Sequence, residues 1–504
     1  MRCMTLLVQF LMATPIALLG QTAAPLSKAA ATITGPDVAR RIGIIADDSM
    51  MGRDTPSRGL DLTAQYVADQ FQAFGLRPGG DSASWFQRYP ITQRRLDLAG
   101  SRVTLTAGGV ESAAPFSTSA RLAAGQVPGQ PITGPAVVVT GPLTAASAAN
   151  LRVKDRIVLV PLSAADSGSV PMEEGIRALY GQRPRALLLM SDKDSVSFAR
   201  KIPALAPERT VIGFSDEPVL LTVRAAPLAA ALRAARVDLV AAHSGSTTAL
   251  REVPNLKVGI EMRDSIISSQ TAPNTVGILE GTDPKLKHEY LVYSAHMDHI
   301  GITRGKPDSI NNGADDDGSG TVGVIELAEA FSRAGARPKR SIIFLTVSGE
   351  EKGLWGSDYF GAHPPVPIGQ IVADINIDMI GRNWPDTIVA IGKEHSDLGT
   401  TLNRVNAAHQ ELGMTAIDDR WPEERFYFRS DHYNFARRGV PILFFFNGVH
   451  EDYHEVTDSP DKINSDKEAR IVRLLFYLGQ EIANAAKRPE WKPGSYKEIV
   501  EEKT

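Results

Sequence analysis

The segment Ser341-Ile-Ile-Phe-Leu-Thr-Val347 is the strongest strand signal in the sequence. It is continuously apolar and carries no charge, which predicts a strand that is buried on both faces. Ser348-Gly349-Glu350-Glu351 follows it directly. Charges at the end of such a strand are costly to bury unless they are paired or bound to a metal. Either glutamate alone could cap a helix, but the pair favours two roles, one as a ligand and one as a free base.

Similar apolar runs lie on both sides of this segment and alternate with helical patterns. The other strand candidates are residues 290–294, 371–377 and 440–446. Between them, Val324, Ile325, Ala328 and Phe331 form one apolar helical face, and we expect Glu326, Glu329 and Arg333 to lie on a polar face. This alternation predicts an α/β fold with a mixed β-sheet flanked by helices on both faces.

The regions before residue 270 and after residue 460 have different sequence patterns. Residues 36–76 show a helical pattern, and residues 100–250 contain short β-rich runs separated by Gly, Pro, Ser and Ala, which indicates a small inserted β-rich domain. A final helix is predicted from a capping box of Ser465 and Glu468. The predicted divisions are an N-terminal part of the main domain at 30–115, an insert at 116–250, the catalytic domain at 251–488 and a charged tail at 489–504.

Composition excludes several classes of protein. The chain has 504 residues, 43% of them hydrophobic and 22% charged, with a net charge of −4. Such a balance gives no reason to expect nucleic acid or an anionic membrane as a partner. The only cysteine, Cys3, precedes an apolar run from Thr5 to Gly20, so neither disulfides nor thiolate ligands are expected in the mature protein.

That apolar run follows Arg2 and is followed by small residues, which predicts a signal peptide at residues 1–24. An uncleaved anchor is the alternative. With the signal removed, we expect an exported, periplasmic or extracellular protein with no stable membrane insertion.

Five groups of acidic and imidazole side chains stand at the ends of the predicted elements, where ligands of α/β sheets gather. Each group alone could be a surface loop or a solvated acidic turn. The groups are His296-Met-Asp298-His299, Asn312-Gly-Ala-Asp-Asp-Asp-Gly-Ser-Gly320, Glu350-Glu351, Asp378 and Asp452-Tyr-His454. Together they supply oxygen and nitrogen ligands without sulfur, which suit zinc, with cobalt or manganese as alternatives. Two metals bridged by a carboxylate are a common arrangement in hydrolases.

These motifs, in this order over about 160 residues, resemble the M28 family of zinc peptidases. The resemblance implies two zinc ions per chain, one held by His296 and Asp378 and the other by Glu351 and His454. Asp316 would bridge them, and the Asp316–Asp317 peptide would be cis. It further implies Asp298 as the residue that orients His296, Glu350 as the general base, and Tyr427 as a residue that steadies the tetrahedral intermediate. A core aromatic is the alternative for Tyr427.

The resemblance is weaker in the rest of the chain. Met50-Met-Gly-Arg-Asp54 through Gly75-Leu-Arg-Pro78 is similar to the leader of bacterial members, and the insert resembles a protease-associated (PA) domain at Val153–Val160. His299 and His432 are interpreted as structural or supporting residues, and the other six histidines as surface residues.

The implied function is an exported co-catalytic dizinc metallopeptidase that acts on peptides, and an aminopeptidase is the first hypothesis. Carboxypeptidase or glutaminyl-cyclase-like amide chemistry on the same fold is the second hypothesis, and an inactive receptor-like scaffold is the third.

Overall fold

The computed structural model describes residues 19–163, 166, 169–201, 208–212, 218–303, 305 and 308–501. They fall into two compact units. One contains the described residues up to Tyr89 and from Ala272 onward, and the other is Pro90–Thr271. The second unit contains the predicted insert of residues 116–250. Residues 1–18 of the predicted signal peptide lie outside the described residues.

The strands alternate with helices over most of the chain. The strands are β1 (Arg77–Pro78), β2 (Phe86–Leu96), β3 (Arg102–Ala107), β4 (Val110–Pro115), β5 (Ala120–Ala124), β6 (Ile132–Thr140), β7 (Ile157–Leu162), β8 (Ala186–Ser191), β9 (Glu208–Ile212), β10 (Val219–Arg224), β11 (Ala249–Glu261), β12 (Asp264–Leu279), β13 (Tyr290–His296), β14 (Ser341–Val347), β15 (Ile371–Ile377), β16 (Thr387–Ile391), β17 (Thr415–Ile417) and β18 (Ile442–Phe445). The helices are α1 (Leu19–Ala30), α2 (Gly35–Ile45), α3 (Arg58–Ala73), α4 (Ala145–Ala149), α5 (Val170–Gly181), α6 (Ser195–Lys201), α7 (Ala229–Ala234), α8 (Leu239–His243), α9 (Gly320–Ser332), α10 (Trp355–Ala362), α11 (Leu398–Ala408), α12 (His432–Ala436), α13 (Ser465–Asn484) and α14 (Pro493–Tyr496).

The first unit is built on a mixed sheet with the strand order β17-β16-β18-β15-β13-β14-β12. Strand β13 runs parallel to both β14 and β15, and β15 runs parallel to β18. Strands β12 and β16 are antiparallel to their neighbours β14 and β18. The predicted mixed α/β sheet is thus confirmed, and its central parallel strands all end at the same edge.

Strand β14 shows why the sheet is covered on both faces. Its residues are buried without exception, and successive side chains enter opposite cores. Ile342 and Phe344 pack into the core formed with α2, α9 and α13, whereas Ile343 and Leu345 pack into the core on the other face. The uninterrupted apolar run therefore reflects two cores rather than one.

Two details of the helices correct the sequence interpretation. Glu326 does not lie on a solvated face of α9, because it is 1% exposed and is paired with Arg41 of α2. Helix α13 begins one residue earlier than the capping box predicts, since Asn464 accepts the hydrogen bond from the Lys467 amide. Glu468 is fully buried instead of capping the helix.

The second unit is an eight-stranded sheet with the order β4-β3-β11-β6-β7-β8-β10-β5. The four strands β6, β7, β8 and β10 are parallel, and helices α4 to α8 lie within the same unit. Within the described residues, no helix has both the length and the apolarity that a membrane crossing requires.

Candidate active site

The predicted ligands converge at the carboxyl end of the parallel strands. His296 is the last residue of β13, Glu350 and Glu351 follow β14, and Asp378 follows β15. Asp316 lies in the loop that leads from β13 into α9. The sheet topology therefore explains why residues spread over the sequence meet at one edge.

His296 forms the first half of the site. Its Nε2 atom lies 3.3 Å from Asp316 Oδ1 and 3.7 Å from Asp378 Oδ1. Its Nδ1 atom faces the backbone carbonyl of Asp298 at 3.2 Å, so the Nδ1 proton has an acceptor and the Nε2 lone pair is available to a metal ion. Burial alone would lower the pKa of His296, yet its hydrogen bonds to Asp298, Asp316 and Asp378 raise that pKa well above its usual range.

Glu351 and His454 form the second half. His454 Nε2 lies 3.2 Å from both Asp316 Oδ2 and Glu351 Oε2. These two carboxylates raise the pKa of His454 to about 10 in spite of its partial burial. His454 also has a φ of 59°, in the left-handed region that only a few per cent of non-glycine residues adopt.

His299 lies beside the second half, closer than the sequence interpretation expected. Its Nδ1 atom lies 2.9 Å from Glu351 Oε1 and 3.6 Å from Asp316 Oδ2. His299, Asp316 and Glu351 together could hold a metal ion, as could His296, Asp316 and Asp378. Both halves therefore contain Asp316.

The geometry distinguishes Asp316 from its two acidic neighbours. Asp315 accepts hydrogen bonds from the Gly381 amide and His450, and Asp317 accepts from the backbone amides of His296, Gly320 and Met379. Only Asp316 of the triplet contacts imidazoles on both sides. The Asp316–Asp317 peptide is cis, as the resemblance implied.

The donor set fits zinc. Asp316 Oδ2 and His454 Nε2 are buried atoms with no hydrogen-bond partner in the described part of the chain. The contacts of 3.2–3.7 Å around Asp316 match the roughly 3.4 Å between ligand atoms of a tetrahedral ion with bonds of about 2.1 Å. Several lone pairs aimed at one another need a cation between them, and the raised histidine pKa values show that the site attracts positive charge.

Asp298 contacts the segment that carries Glu350. Its Oδ1 atom accepts from the Glu350 amide at 3.3 Å, and its Oδ2 atom accepts from Thr55 Oγ1 at 2.9 Å. Its carboxylate is 3.6 Å from His296 Nδ1, farther than its own backbone carbonyl. Asp298 therefore positions both the histidine and the turn after β14.

Glu350 faces a cavity together with Asp316 and Asp378. Burial, reinforced by the charges of Asp431 and Asp378 against the opposing charge of His296, raises the pKa of Glu350 well above its usual range. The other walls are mainly apolar, with Phe426, Phe444, Phe446, Val449 and Met379 among them, and Arg429 is the only positively charged side chain other than histidine in the lining.

Tyr427 does not lie in the cavity wall. It is 5% exposed, and its ring lies 4.5 Å from the ring of His395 in the apolar core. Tyr453 lines the cavity instead, and its ring stacks on that of His454 at 3.9 Å. Tyr453 directly precedes a predicted ligand, and that adjacency is the sequence signal that could have indicated it.

His450 is a second residue that sequence reasoning misplaced. We interpreted it as a surface residue, but its side chain is 2% exposed and its Nε2 atom contacts Asp315 Oδ2 at 3.1 Å. The Asp452 amide donates to His450 Nδ1, so the proton is on Nε2 and supports the acidic loop.

Comparison with known proteins places this site in a family. Residues 274–479, which contain all five predicted ligands, match the model of peptidase family M28. Residues 274–479 are an M28 peptidase domain. The M28 domain thus includes the strands and loops that bring the site together, whereas residues 19–89 of the same unit precede it.

Curated relatives of the M28 domain carry peptidase names. The chain is 30% identical over 197 residues to leupeptin-inactivating enzyme 1 of Streptomyces exfoliatus, which covers 39% of this chain and 40% of that protein. It is 27% identical over 221 residues to a probable leucine aminopeptidase of Arthroderma otae, 42% of this chain and 58% of that one. A probable glutamate carboxypeptidase of Arthroderma benhamiae is 28% identical over 152 residues, 29% of this chain and 19% of that protein. The chain therefore spans between a fifth and three fifths of these relatives.

A solved aminopeptidase from Aneurinibacillus sp. strain AM-1 aligns with 93% of this chain and 98% of its own, at 17% identity and a TM-score of 0.48.

Proposed function

We propose that the protein is a zinc metallopeptidase that binds two zinc ions and removes amino-terminal residues from peptides. The observation that carries this proposal is the pair of ligand groups that share Asp316 beside the free carboxylate of Glu350. His296 and Asp378 would hold one ion, and Glu351 and His454 the other. His299 would donate its Nδ1 proton to Glu351 and hold that carboxylate in place.

Zinc ions in this position would polarise the substrate carbonyl and lower the pKa of water. Glu350 lies in the cavity and in neither of the two ligand groups that share Asp316. Its carboxylate would take the proton of the attacking water and deliver it to the leaving amine. The amide of Glu350, held by Asp298 at 3.3 Å, fixes the main chain from which this carboxylate projects.

The cavity favours a free amine at the substrate terminus. Glu350 faces it and belongs to neither ligand group, so its carboxylate is available to attract a positively charged α-amino group. The aromatic walls favour an apolar first side chain. The names of leucine aminopeptidase relatives agree with this substrate class.

A substrate panel tests the aminopeptidase proposal. We expect hydrolysis of aminoacyl anilides with apolar side chains, loss of this activity with a chelator, and recovery when zinc is added. The same substrates with a blocked amino group should remain intact, because the blocked nitrogen carries no charge. A folded, zinc-loaded protein that cleaves no free-amine substrate would refute the aminopeptidase assignment.

Carboxypeptidase activity is the second candidate, and Arg429 is the observation that favours it. A terminal carboxylate needs a cation, and Arg429 is the guanidinium in the cavity lining. It is 3.4 Å from Glu424 and lies over the Phe426 ring, so it is already partly neutralised. If peptides are shortened from the carboxyl end, replacing Arg429 by glutamine should abolish that cleavage. Cleavage of free-amine anilides should survive the same replacement.

Tyr453 is proposed as the hydrogen-bond donor to the oxygen that gains charge in the transition state. Burial and the nearby carboxylates raise its pKa, so the hydroxyl keeps its proton at neutral pH. Replacing Tyr453 by phenylalanine should lower kcat by roughly 10²-fold, the cost typical of one lost oxyanion donor, with little change in KM. Tyr427→Phe is the matched control and should keep kcat near that of the wild type. If steady-state kinetics show that Tyr427→Phe lowers kcat and Tyr453→Phe does not, Tyr427 is the hydrogen-bond donor.

We also propose that the protein is exported and that the inserted unit is PA-like. The apolar run after Arg2 and the strands of residues 132–162 support these two proposals. N-terminal sequencing of the protein recovered from outside the cytoplasm would test export, with a new terminus expected near residue 24.

A further inference from the structure

Arg53 is a fully buried arginine whose hydrogen bonds all go to backbone carbonyl oxygens. Its Nε atom donates to Met297 O at 2.9 Å, and Nη2 donates to Gly313 O at 2.9 Å. Nη1 donates to Ile45 O at 3.1 Å and to Asn312 O. Burying a guanidinium costs free energy because the charge loses its contact with water. The hydrogen bonds of Arg53 offset this cost only if all of these carbonyls stay in place.

Three of those carbonyls, of Met297, Asn312 and Gly313, belong to the two loops that carry predicted ligands. Met297 directly follows the ligand His296, and Gly313 lies three residues before Asp316. Arg53 thus connects the end of β13 to the acidic loop before α9. It does so from residues 46–55, a segment between α2 and α3 that precedes the matched M28 domain.

The backbone of this segment fits tightly against the same loops. Met51, Gly52 and Arg53 have φ angles of 51°, 66° and 50°, all in the left-handed region. A Cβ atom on Gly52 would lie 2.5 Å from Gly301 O and 2.7 Å from Asn311 O, so only glycine allows this approach. The Gly301 amide donates to Gly52 O at 3.0 Å and the His299 amide donates to Arg53 O at 3.3 Å.

The segment also reaches the third loop, which carries Glu350. Thr55 Oγ1 donates to Asp298 Oδ2 at 2.9 Å and accepts from the Gly349 amide at 3.1 Å. Asp54 is 2.7 Å from Lys352 Nζ. Residues 46–55 therefore hold all three loops at once.

The charge of Arg53 suits this position. The carboxylates of Asp316, Asp458, Asp298 and Asp317 act electrostatically on its guanidinium and favour its charged form. In the protein without metal these acids repel one another, and the buried cation offsets part of the repulsion. The loops can therefore keep the arrangement that metal binding needs before any metal arrives.

We propose that residues 46–55 are an integral part of the metal centre and that Arg53 is a positioning residue, which holds the loops of residues 296–301 and 311–316 in register for metal binding. The statement about metal rests on the proposed function, whereas the statement about loop order does not.

Two measurements on the full-length chain test this role. The first is hydrogen exchange of the metal-free protein, and the second is zinc affinity by competition with a chelator. Arg53→Met should speed amide exchange in residues 297–301 and 311–316 and weaken zinc binding by at least tenfold. Arg53→Lys should recover part of the amide protection and part of the zinc affinity. Lysine restores the positive charge but has fewer hydrogen-bond donors than arginine. If Arg53→Met fails to fold, Thr55→Val, a nearly isosteric change, takes its place. Thr55→Val should speed amide exchange mainly in the loop that carries Glu350.

Arg340→Met and Arg340→Lys are the matched controls. Arg340 is also fully buried and donates to the carbonyls of Ile482 and Ala485, but it precedes β14, at the opposite edge of the sheet from the site. Its variants should lower Tm without changing exchange of the two loops or zinc affinity. The proposal would be overturned if both Arg53 variants and Thr55→Val kept wild-type amide exchange and zinc affinity. It would also be overturned if the Arg340 variants changed these two quantities as much as the Arg53 variants do. A wild-type chain that binds no zinc would refute the proposed function, and exchange in the loops would still decide the role of Arg53.

Discussion

Replacing Glu350 by glutamine is expected to lower kcat by about 10²- to 10⁴-fold while the protein keeps its metal. This range is what a positioned general base typically contributes. Glutamine has nearly the same shape but cannot take a proton, so the cavity should keep its form. Glu350 belongs to neither metal group, and its backbone is held independently through Asp298.

The adjacent residue supplies a control for this result. Glu351→Gln is the same substitution one position along, but Glu351 contacts His299 and His454 and is a predicted ligand. Glu351→Gln should lose metal as well as turnover, and metal analysis of the two variants separates a base from a ligand. If Glu350→Gln keeps near-normal kcat, or if it loses metal as Glu351→Gln does, Glu350 is not the general base.

Replacing Asp316 by asparagine is the second large effect, and we expect it to weaken both metal positions together. Asp316 Oδ1 faces His296 and Oδ2 faces His454, so one carboxylate serves both halves. An amide presents one oxygen and one NH₂ group, and the NH₂ group cannot bind a cation. Turnover of free-amine substrates should fall by more than the 10²- to 10⁴-fold expected for loss of the base.

Asp315→Asn is the control for the acidic loop. Asp315 accepts from the Gly381 amide and from His450 and does not face the imidazoles of the predicted ligands. This variant should lose stability, seen as a lower Tm, but keep its metal content. Asp316→Asn with a full complement of metal would show that the two halves do not depend on a shared carboxylate.

The sequence predicted those parts of the fold that depend on local pattern. Strands β14 and β15 have the predicted bounds, because runs buried on both faces leave no ambiguity about which residues belong to them. The five predicted ligands also meet at one edge, since parallel strands bring their carboxyl ends together.

Properties that depend on the direction of a side chain were not predictable. Tyr427 and Tyr453 both adjoin charged motifs, and only the packing shows that the first enters the core while the second faces the cavity. His450 resembled a surface histidine because its partner, Asp315, is distant in sequence. The choice of Asp316 within its triplet was implied by the family and is explained here by which imidazoles it contacts.

The role of residues 46–55 was hidden for a related reason. Arg53 is separated by more than 240 residues from the carbonyls of Met297 and Gly313, and backbone acceptors leave no mark in a sequence. Strands β3 and β11, which lie near opposite ends of the second unit in sequence, pair with each other. Long-range pairing is invisible to periodicity within a short window.

Zinc content per chain decides whether Asp316 is shared by two metal ions. The wild-type protein would be equilibrated with zinc, freed of unbound metal by gel filtration, and analysed by mass spectrometry for zinc against protein concentration. We expect two zinc ions per chain, one in each of the halves that share Asp316. A single zinc ion per chain, or none, would contradict this expectation.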